Sequence, residues 1–223
     1  MRIVLLLALA SCKHDDRPCE HGARVEVRRV DEDSPYMKKL FAHVGMDRTN
    51  AATDPAAIEA GIRADVDQWS HDTKTADGLP LERKTYTDYY LTGDRAAIEK
   101  YLAALGPEYA PPDDHIIAVG KLDNQWRTYY LGKPLLPDAA IVKTFSGIDP
   151  IGRPFTALKL NSMGKVKFRE ITKATVGHKL ATLVDGVVVE APIIDAELTK
   201  ADSLPVMAAT KADADALAKR ICN

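Results

Sequence analysis

The dipeptide Asp185-Gly186 stands between two short apolar runs, residues 179–184 and 187–191. Both turn residues tolerate positive φ, which makes this a strong short-range signal for a tight β-hairpin. Before it, residues 155–160 read as a strand, and 162–175 as a helix with Met163, Phe168, Ile171 and Ala174 on one side. Lys165, Arg169, Glu170 and Lys173 fall on the other side. Pro192 interrupts the ladder after the hairpin, and 204–208 read as a last short strand. The closing helix opens at Thr210, with Asp213 three residues on as in a capping box. Its buried edge is Ala214, Leu217, Ala218 and Ile221. Strand, helix, hairpin, strand, helix predicts an α+β fold with helices packed on mostly antiparallel sheets.

The upstream chain carries similar marks. Residues 24–28 alternate with period two and predict a half-buried strand. Ser34-Pro35 opens a helix, with serine as cap and proline in the first turn, and Gly45 ends it. Asp54-Pro55 repeats the opening, and Ile58, Ile62, Val66 and Trp69 follow at helical spacing, predicting a buried stripe. Residues 84–90 form a tyrosine-rich strand candidate, and a helix runs from Asp94 or Arg95 to Leu105. Residues 115–119 and 125–131 predict a hairpin with a loop of four or five residues. Residues 141–145 are another strand candidate. Two glycines and two prolines in 146–154 mark a boundary between segments.

At the amino end Arg2 precedes the apolar run 3–10, followed by Ser11 and Cys12. The run is far short of the roughly 20 residues a membrane-crossing helix needs, and its flanks fit an export signal over 1–11. Leu9-Ala10-Ser11-Cys12 resembles the lipobox of bacterial lipoproteins, which implies acyl chains on Cys12 and attachment to a membrane through that lipid. The alternative is an ordinary secretory signal with a chance cysteine. The residue after Cys12 is Lys13, so the enterobacterial inner-membrane retention signal is absent. Residues 12–22 read as a polar tether. In an oxidising compartment Cys19 and Cys222 are a candidate disulfide, with free or intermolecular thiols as the alternative.

Most chemical classes find no support. With 30 basic and 32 acidic residues mixed throughout, the surface offers no basis for nucleic-acid binding. His14, His21, His43, His71, His115 and His178 show no ligand spacing. Asp15-Asp16 beside His14 reads as a charged tether. There is no Gly-x-Ser-x-Gly elbow, and Ser146-Gly147 reads as a turn. Asn161-Ser-Met-Gly-Lys165 lacks the leading glycines of a phosphate loop and reads as a helix cap. The acid pairs Asp65/Asp67 and Glu82/Asp88 carry no sign that they converge. No catalytic residue, cofactor or metal is implied, and the expectation is a non-enzyme. Tyr86, Tyr89, Tyr90, Trp126, Tyr129 and Tyr130 concentrate in two strand candidates, as cross-strand core or as a binding face.

Residues 160–194 carry a specific pattern: Asn161, Gly164, Phe168, Thr172, Gly177, Leu180-Ala181, Asp185-Gly186, Ala191-Pro192 and Ile194. It resembles the head subdomain of the large periplasmic domain of SecD, a membrane component of bacterial protein export. Residues 129–140 are similar to the segment leading into that head, and 24–30 more faintly to the strand that begins the base. The likeness spans 23–221, strongest in the last third and faint between 45 and 110. It implies a base region over 23–145, a linker over 146–154 and a ferredoxin-like head over 155–221.

The resemblance also implies contact with unfolded preprotein or translocase subunits on the outer side of the membrane, periplasmic in a Gram-negative cell. The alternative is a structural or interaction lipoprotein of the envelope that keeps only the fold. The sequence departs from the family in two ways. No apolar stretch after the first approaches a membrane span, and the glycines that follow the Ala-Pro-x-Ile motif are replaced by 195–203. In SecD both ends of this domain return to the membrane. A lipid on Cys12 would then stand in for the first membrane helix, with a Cys19–Cys222 bridge holding the C-terminus beside the base.

Overall fold

The computed structural model describes residues 19–20, 22–45, 53–73, 82–199 and 202–222. The apolar run 3–10, Cys12 and the acidic pair beside His14 lie outside these. The fold is α+β, with two sheets and helices packed against them.

Strand β1 (Val25–Val30) pairs antiparallel with two partners, β8 (Leu180–Val184) and β5 (Gln125–Leu136). Strand β8 turns through Asp185-Gly186 into β9 (Val187–Glu190), which runs parallel to β4 (Ile116–Leu122), and β4 forms a hairpin with β5. The circuit β1–β8–β9–β4–β5 therefore closes on itself as a small barrel. Val30, Ala118, Tyr129, Leu131, Ala181, Leu183 and Val188 fill its interior. The packing is tight at Gly120, where a Cβ would lie 2.6 Å from the Val188 carbonyl oxygen and 2.9 Å from the Tyr129 ring.

A two-stranded ribbon, β2 (Arg63–Thr73) and β3 (Glu82–Gly93), joins the barrel through two residue pairs, Thr92 with Arg127 and Gly93 with Trp126. One ribbon face packs on helices α1 (Pro35–Val44) and α3 (Arg95–Ala104), with Leu40, Leu91, Ile98 and Tyr130 in a common core. A second sheet orders β10 (Ser203–Met207), β7 (Pro154–Leu160) and β6 (Ile141–Ile148). Helices α4 (Ser162–Ala174) and α5 (Lys211–Ile221) meet it in a third core around Leu158, Phe168, Leu180 and Ile221. In α5 the Thr210 hydroxyl and the Asp213 carboxylate cap one another's backbone N–H, a complete capping box.

The chain ends meet. Cys19 and Cys222 form a disulfide with Cα atoms 5.6 Å apart across 203 residues of sequence. The Gly22 N–H donates to the Ile221 carbonyl at 3.0 Å. Asp185 in the β8–β9 turn accepts from the Arg24 N–H at 2.9 Å and pairs with Arg220.

Several expectations are corrected. The helix opened by Asp54-Pro55 is only α2 (Pro55–Glu59), because Gly61 turns left-handed at φ +67° and the chain continues as β2. Ile58 and Val66 stay exposed, while every residue of β2 finds a partner on the β-branched and aromatic β3. Ladder pairing overrides the accidental helical spacing. Ser34, though buried, makes no side-chain cap for α1. The loop between β4 and β5 is a two-residue turn, Asp123-Asn124, both with positive φ. Residues 146–154 are no linker: they finish β6, turn at 149–153 and begin β7 in one hairpin. The ladders also cross the proposed boundary, because β8 and β9 pair with β1 and β4. In α4 the buried face is Gly164, Phe168, Ile171 and Thr172, leaving Met163 and Ala174 exposed.

Replacing Cys19 and Cys222 by serine is expected to cost about 2–4 kcal/mol of stability without changing the fold, since hydrogen bonds and the Arg220–Asp185 pair hold the same junction. Urea unfolding of variant and parent, with circular dichroism as readout, checks both halves.

Candidate functional site

Inward alternation along the barrel strands carries charge to one mouth. Arg127 continues the row of Tyr129 and Leu131, and Lys179 that of Ala181 and Leu183, while Glu190 reaches the mouth past a bulge that sets it opposite Thr182. These side chains, with Asp67, Lys121, Leu122, Pro192 and Met207, line a cleft of about 350 Å³. A barrel mouth with converging polar groups is a common place for a ligand, so the state of each group matters.

The ribbon lies across this mouth and brings two carboxylates. Asp67 and Asp88 face each other across β2 and β3, a like-charge pair that repels unless bridged. The Lys179 ammonium bridges them, 2.7 Å from Asp67 Oδ2 and 2.9 Å from Asp88 Oδ2. Arg127 donates to Asp88 Oδ2 at 2.6 Å, and its guanidinium carbon sits 3.5 Å from the Tyr90 ring centroid. Lys179 lies 4.3 Å from the centre of the Trp69 ring, whose Nε1–H donates to the Gly177 carbonyl at 2.9 Å. Beside them the fully buried Glu32 accepts from the Lys179 N–H at 2.7 Å and pairs with His178 Nδ1 at 2.9 Å.

These charges are spent on one another. Burial pushes the Asp88 carboxyl above the usual carboxylate range, and Arg127 and Lys179 pull it back only in part. Burial also pushes up Glu190, whose Oε2 accepts the Met207 N–H at 3.0 Å. Among the described residues no serine, threonine or cysteine lines the cleft. No group of three or more His, Cys, Asp or Glu among the described residues is placed to hold a metal ion. The mouth is a buried ionic lock that fixes the ribbon to the barrel.

A second surface is chemically different. In the three-stranded sheet Thr144 and Thr156 donate to the Ala218 and Ala214 carbonyls of α5 at 2.7 and 2.8 Å, so that face is covered. The opposite face presents three cross-strand rows: Lys143–Lys159–Ser203, Phe145–Ala157–Pro205 and Gly147–Phe155–Met207. Phe145 is 45% exposed, and Ile148 and Ile151 at the same hairpin are 59% and 74% exposed. The Phe155 ring lies over Gly147, where a Cβ would come within 2.7 Å of it. Beyond the Lys143–Lys159–Ser203 row and around the buried Ala157 this face is apolar, and it continues through Met207 to the cleft.

The family-pattern residues hold up the frame. Asn161 caps α4 by accepting the Gly164 N–H at 2.7 Å, and Gly164 lets the helix approach Ala140. Phe168 and Leu180 are core residues, and Ala181 lies inside the barrel. The Thr172 hydroxyl accepts the Leu198 N–H at 3.2 Å. Gly177 is left-handed against His71. Asp185 and Gly186 make the tight turn, and the Ile194 backbone clasps Gly177 and His178. Ala191 and Pro192 border the cleft. Of the aromatic residues singled out in the sequence, Tyr86, Tyr129 and Tyr130 are buried, with Tyr89, Tyr90 and Trp126 half-covered.

Residues 115–221 match the SecDF P1 head subdomain family. The chain carries a SecD periplasmic head-like domain. It is 37% identical over 67 residues to the protein translocase subunit SecD of Sebaldella termitidis, covering 30% of this chain and 16% of that protein. Against the protein translocase subunit SecDF of Thermus thermophilus it is 38% identical over 69 residues, 31% of this chain and 9% of the other. A crystal structure of SecDF in a super-membrane-facing form overlaps 94% of this chain and 30% of its own, at 18% identity and TM-score 0.40. The structure of a membrane component SecDF that enhances protein export overlaps 88% of this chain at TM-score 0.39. The SecD-like match takes in β4, β5 and β6 as well as the last third of the chain. Among the described residues no helix is long and apolar enough to cross a membrane.

By proximity in sequence Asp67 pairs with Asp65 and Asp88 with Glu82, whereas the β2–β3 ladder sets Asp67 opposite Asp88. One signal was available: Arg127 shares period two with Tyr129 and Leu131, which puts a cation on a core face and demands a partner.

Two outcomes are expected here. Lys179→Met leaves facing carboxylates unbridged and should cost about 3–5 kcal/mol, partly recovered by adding Asp67→Asn, in urea unfolding at neutral pH. Glu190 has a raised pKa in the folded state, so its contribution to stability is complete below the ordinary glutamate range and is lost as pH rises through the folded value. Glu190→Gln cannot suffer that loss. Its stability relative to the parent should rise between roughly pH 4 and pH 8, seen as diverging urea midpoints.

Proposed function

We propose that this protein is a lipid-anchored, extracytoplasmic, non-catalytic module that binds non-native polypeptide and assists protein export. The open apolar face of the three-stranded sheet carries the reading, since Phe145 and Pro205 stand exposed with Phe155 and Met207 half-buried beside them, over the buried Ala157. Apolar surface left without an internal partner is what an unfolded chain can bury against. The pairing of Lys179 with Asp67 and Asp88 at the mouth of the cleft supports a role without chemistry. The likeness to translocase subunits supports protein transport as the setting, and the periplasm as the compartment of a Gram-negative cell.

Anchoring rests on Cys12. The disulfide supports it indirectly, because it holds Cys222 beside Cys19, which follows Cys12 by only seven residues in the sequence. The second reading, an envelope interaction protein that keeps only the fold, is favoured by the architectural use of the family-pattern residues.

A reduced, carboxymethylated polypeptide is a defined unfolded probe. The purified chain should bind it, and Phe145→Asp should weaken that binding by about tenfold or more while leaving the melting transition in place. Saturable binding to a native folded partner alone, with none to the unfolded probe, would favour the second reading. Cys12→Ser should move the protein from the membrane fraction to the soluble extracytoplasmic fraction.

A further inference from the structure

Strand β6 has a ladder partner on one side only among the described residues. Its eight residues, Ile141–Ile148, contain no proline and a single charge, Lys143. Folded proteins usually guard such an edge with prolines, several charges or a covering segment, because its free N–H and C=O groups will pair with another strand. The side facing α5 is occupied through Thr144. On the other side Lys143, Phe145 and Gly147 each head one of the open rows.

We propose that β6 takes up an extended segment of a non-native polypeptide as a fourth strand of this sheet. The inference rests on the proposed binding of unfolded polypeptide and specifies how it occurs. Main-chain hydrogen bonds along the free edge accept almost any sequence. Selectivity comes from alternate side chains of the incoming strand, which extend the three rows. Two of them meet the apolar rows headed by Phe145 and Gly147. The third meets Lys143 and Lys159, adjacent lysines in register, neither of which forms an ion pair among the described residues. A carboxylate there relieves their mutual repulsion. The preferred segment is therefore extended and apolar at alternate positions, with an acidic side chain two residues from the first apolar one.

Amide hydrogen exchange read residue by residue on the full oxidised chain tests the mode of binding. With the carboxymethylated polypeptide present, every second amide of residues 141–148 should be protected roughly tenfold or more, with little change in β2. Peptides of ten residues with Glu or Lys at the selective position should differ in affinity by about fivefold in favour of Glu, and Lys143→Glu should invert that order. Binding without protection of β6 overturns strand addition and leaves the proposed function standing. No binding of the polypeptide or of either peptide overturns both. Protection of β6 that grows with the protein's own concentration, without probe, assigns the edge to a second copy of this chain and overturns the proposal.

Discussion

Closure of the five-stranded ring depends on β1 serving two partners at once. Its six residues pair with β8 on one side and β5 on the other, and the register shifts along β1 near Val27 and Arg28. Those irregularities let Val25 and Val27 face the core shared with α4 and α5, while Val30 faces the barrel interior. A strand from the start of the chain thus joins strands from its middle and its end. The same junction explains why the termini meet, because β1 begins against the turn that Arg220 of α5 also holds. The disulfide adds a covalent link where the ladder and the ion pair already converge.

The second constraint is electrostatic. A closed barrel this small has no interior room for charge, so cations that alternate inward must emerge at a mouth. Arg127 and Lys179 do so, and the ribbon supplies Asp67 and Asp88 to meet them. Burying Arg127, Lys179 and Asp88 is expensive, and the attraction among them and the half-exposed Asp67 offsets that cost without much surplus. What the network adds is position. A ribbon attached to the barrel by only two residue pairs acquires one defined orientation, because its facing carboxylates are satisfied by a single ammonium. Burial pushes the Asp88 carboxyl toward its neutral form, which is the cost side of this arrangement.

Legibility of the sequence followed the range of the interactions. The Asp185-Gly186 turn, the Thr210 capping box and the tyrosine-rich strand are set by neighbours a few residues away, and local chemistry announced them. The segment after Asp54 misled because Ile58, Ile62, Val66 and Trp69 match a helix by spacing alone. Gly61 and the long partner strand β3 decide against it. Residues 146–154 looked like a boundary because glycine and proline mark hairpin turns as readily as linkers. Helical spacing puts Met163 on the buried side of α4, whereas Gly164 takes that position and lets the helix approach Ala140. The lock of Asp67, Asp88, Arg127 and Lys179 joins residues up to 112 apart in sequence, beyond any local pattern.

A division of labour follows between the recognisable residues and the open surface. The family pattern is rich in glycine, cap and turn residues because a helix resting on Ala140, a left-handed Gly177 and a two-residue turn each admit few alternatives. A surface that meets many unfolded sequences has no such restriction. Backbone pairing along β6 asks only for an unguarded edge, and an apolar row asks only for volume, so Phe145, Pro205 and Met207 fit no pattern that a scan of motifs would find. The chain is therefore recognised through the parts that hold its shape, while the surface proposed to meet a partner is defined only once the strands are in register.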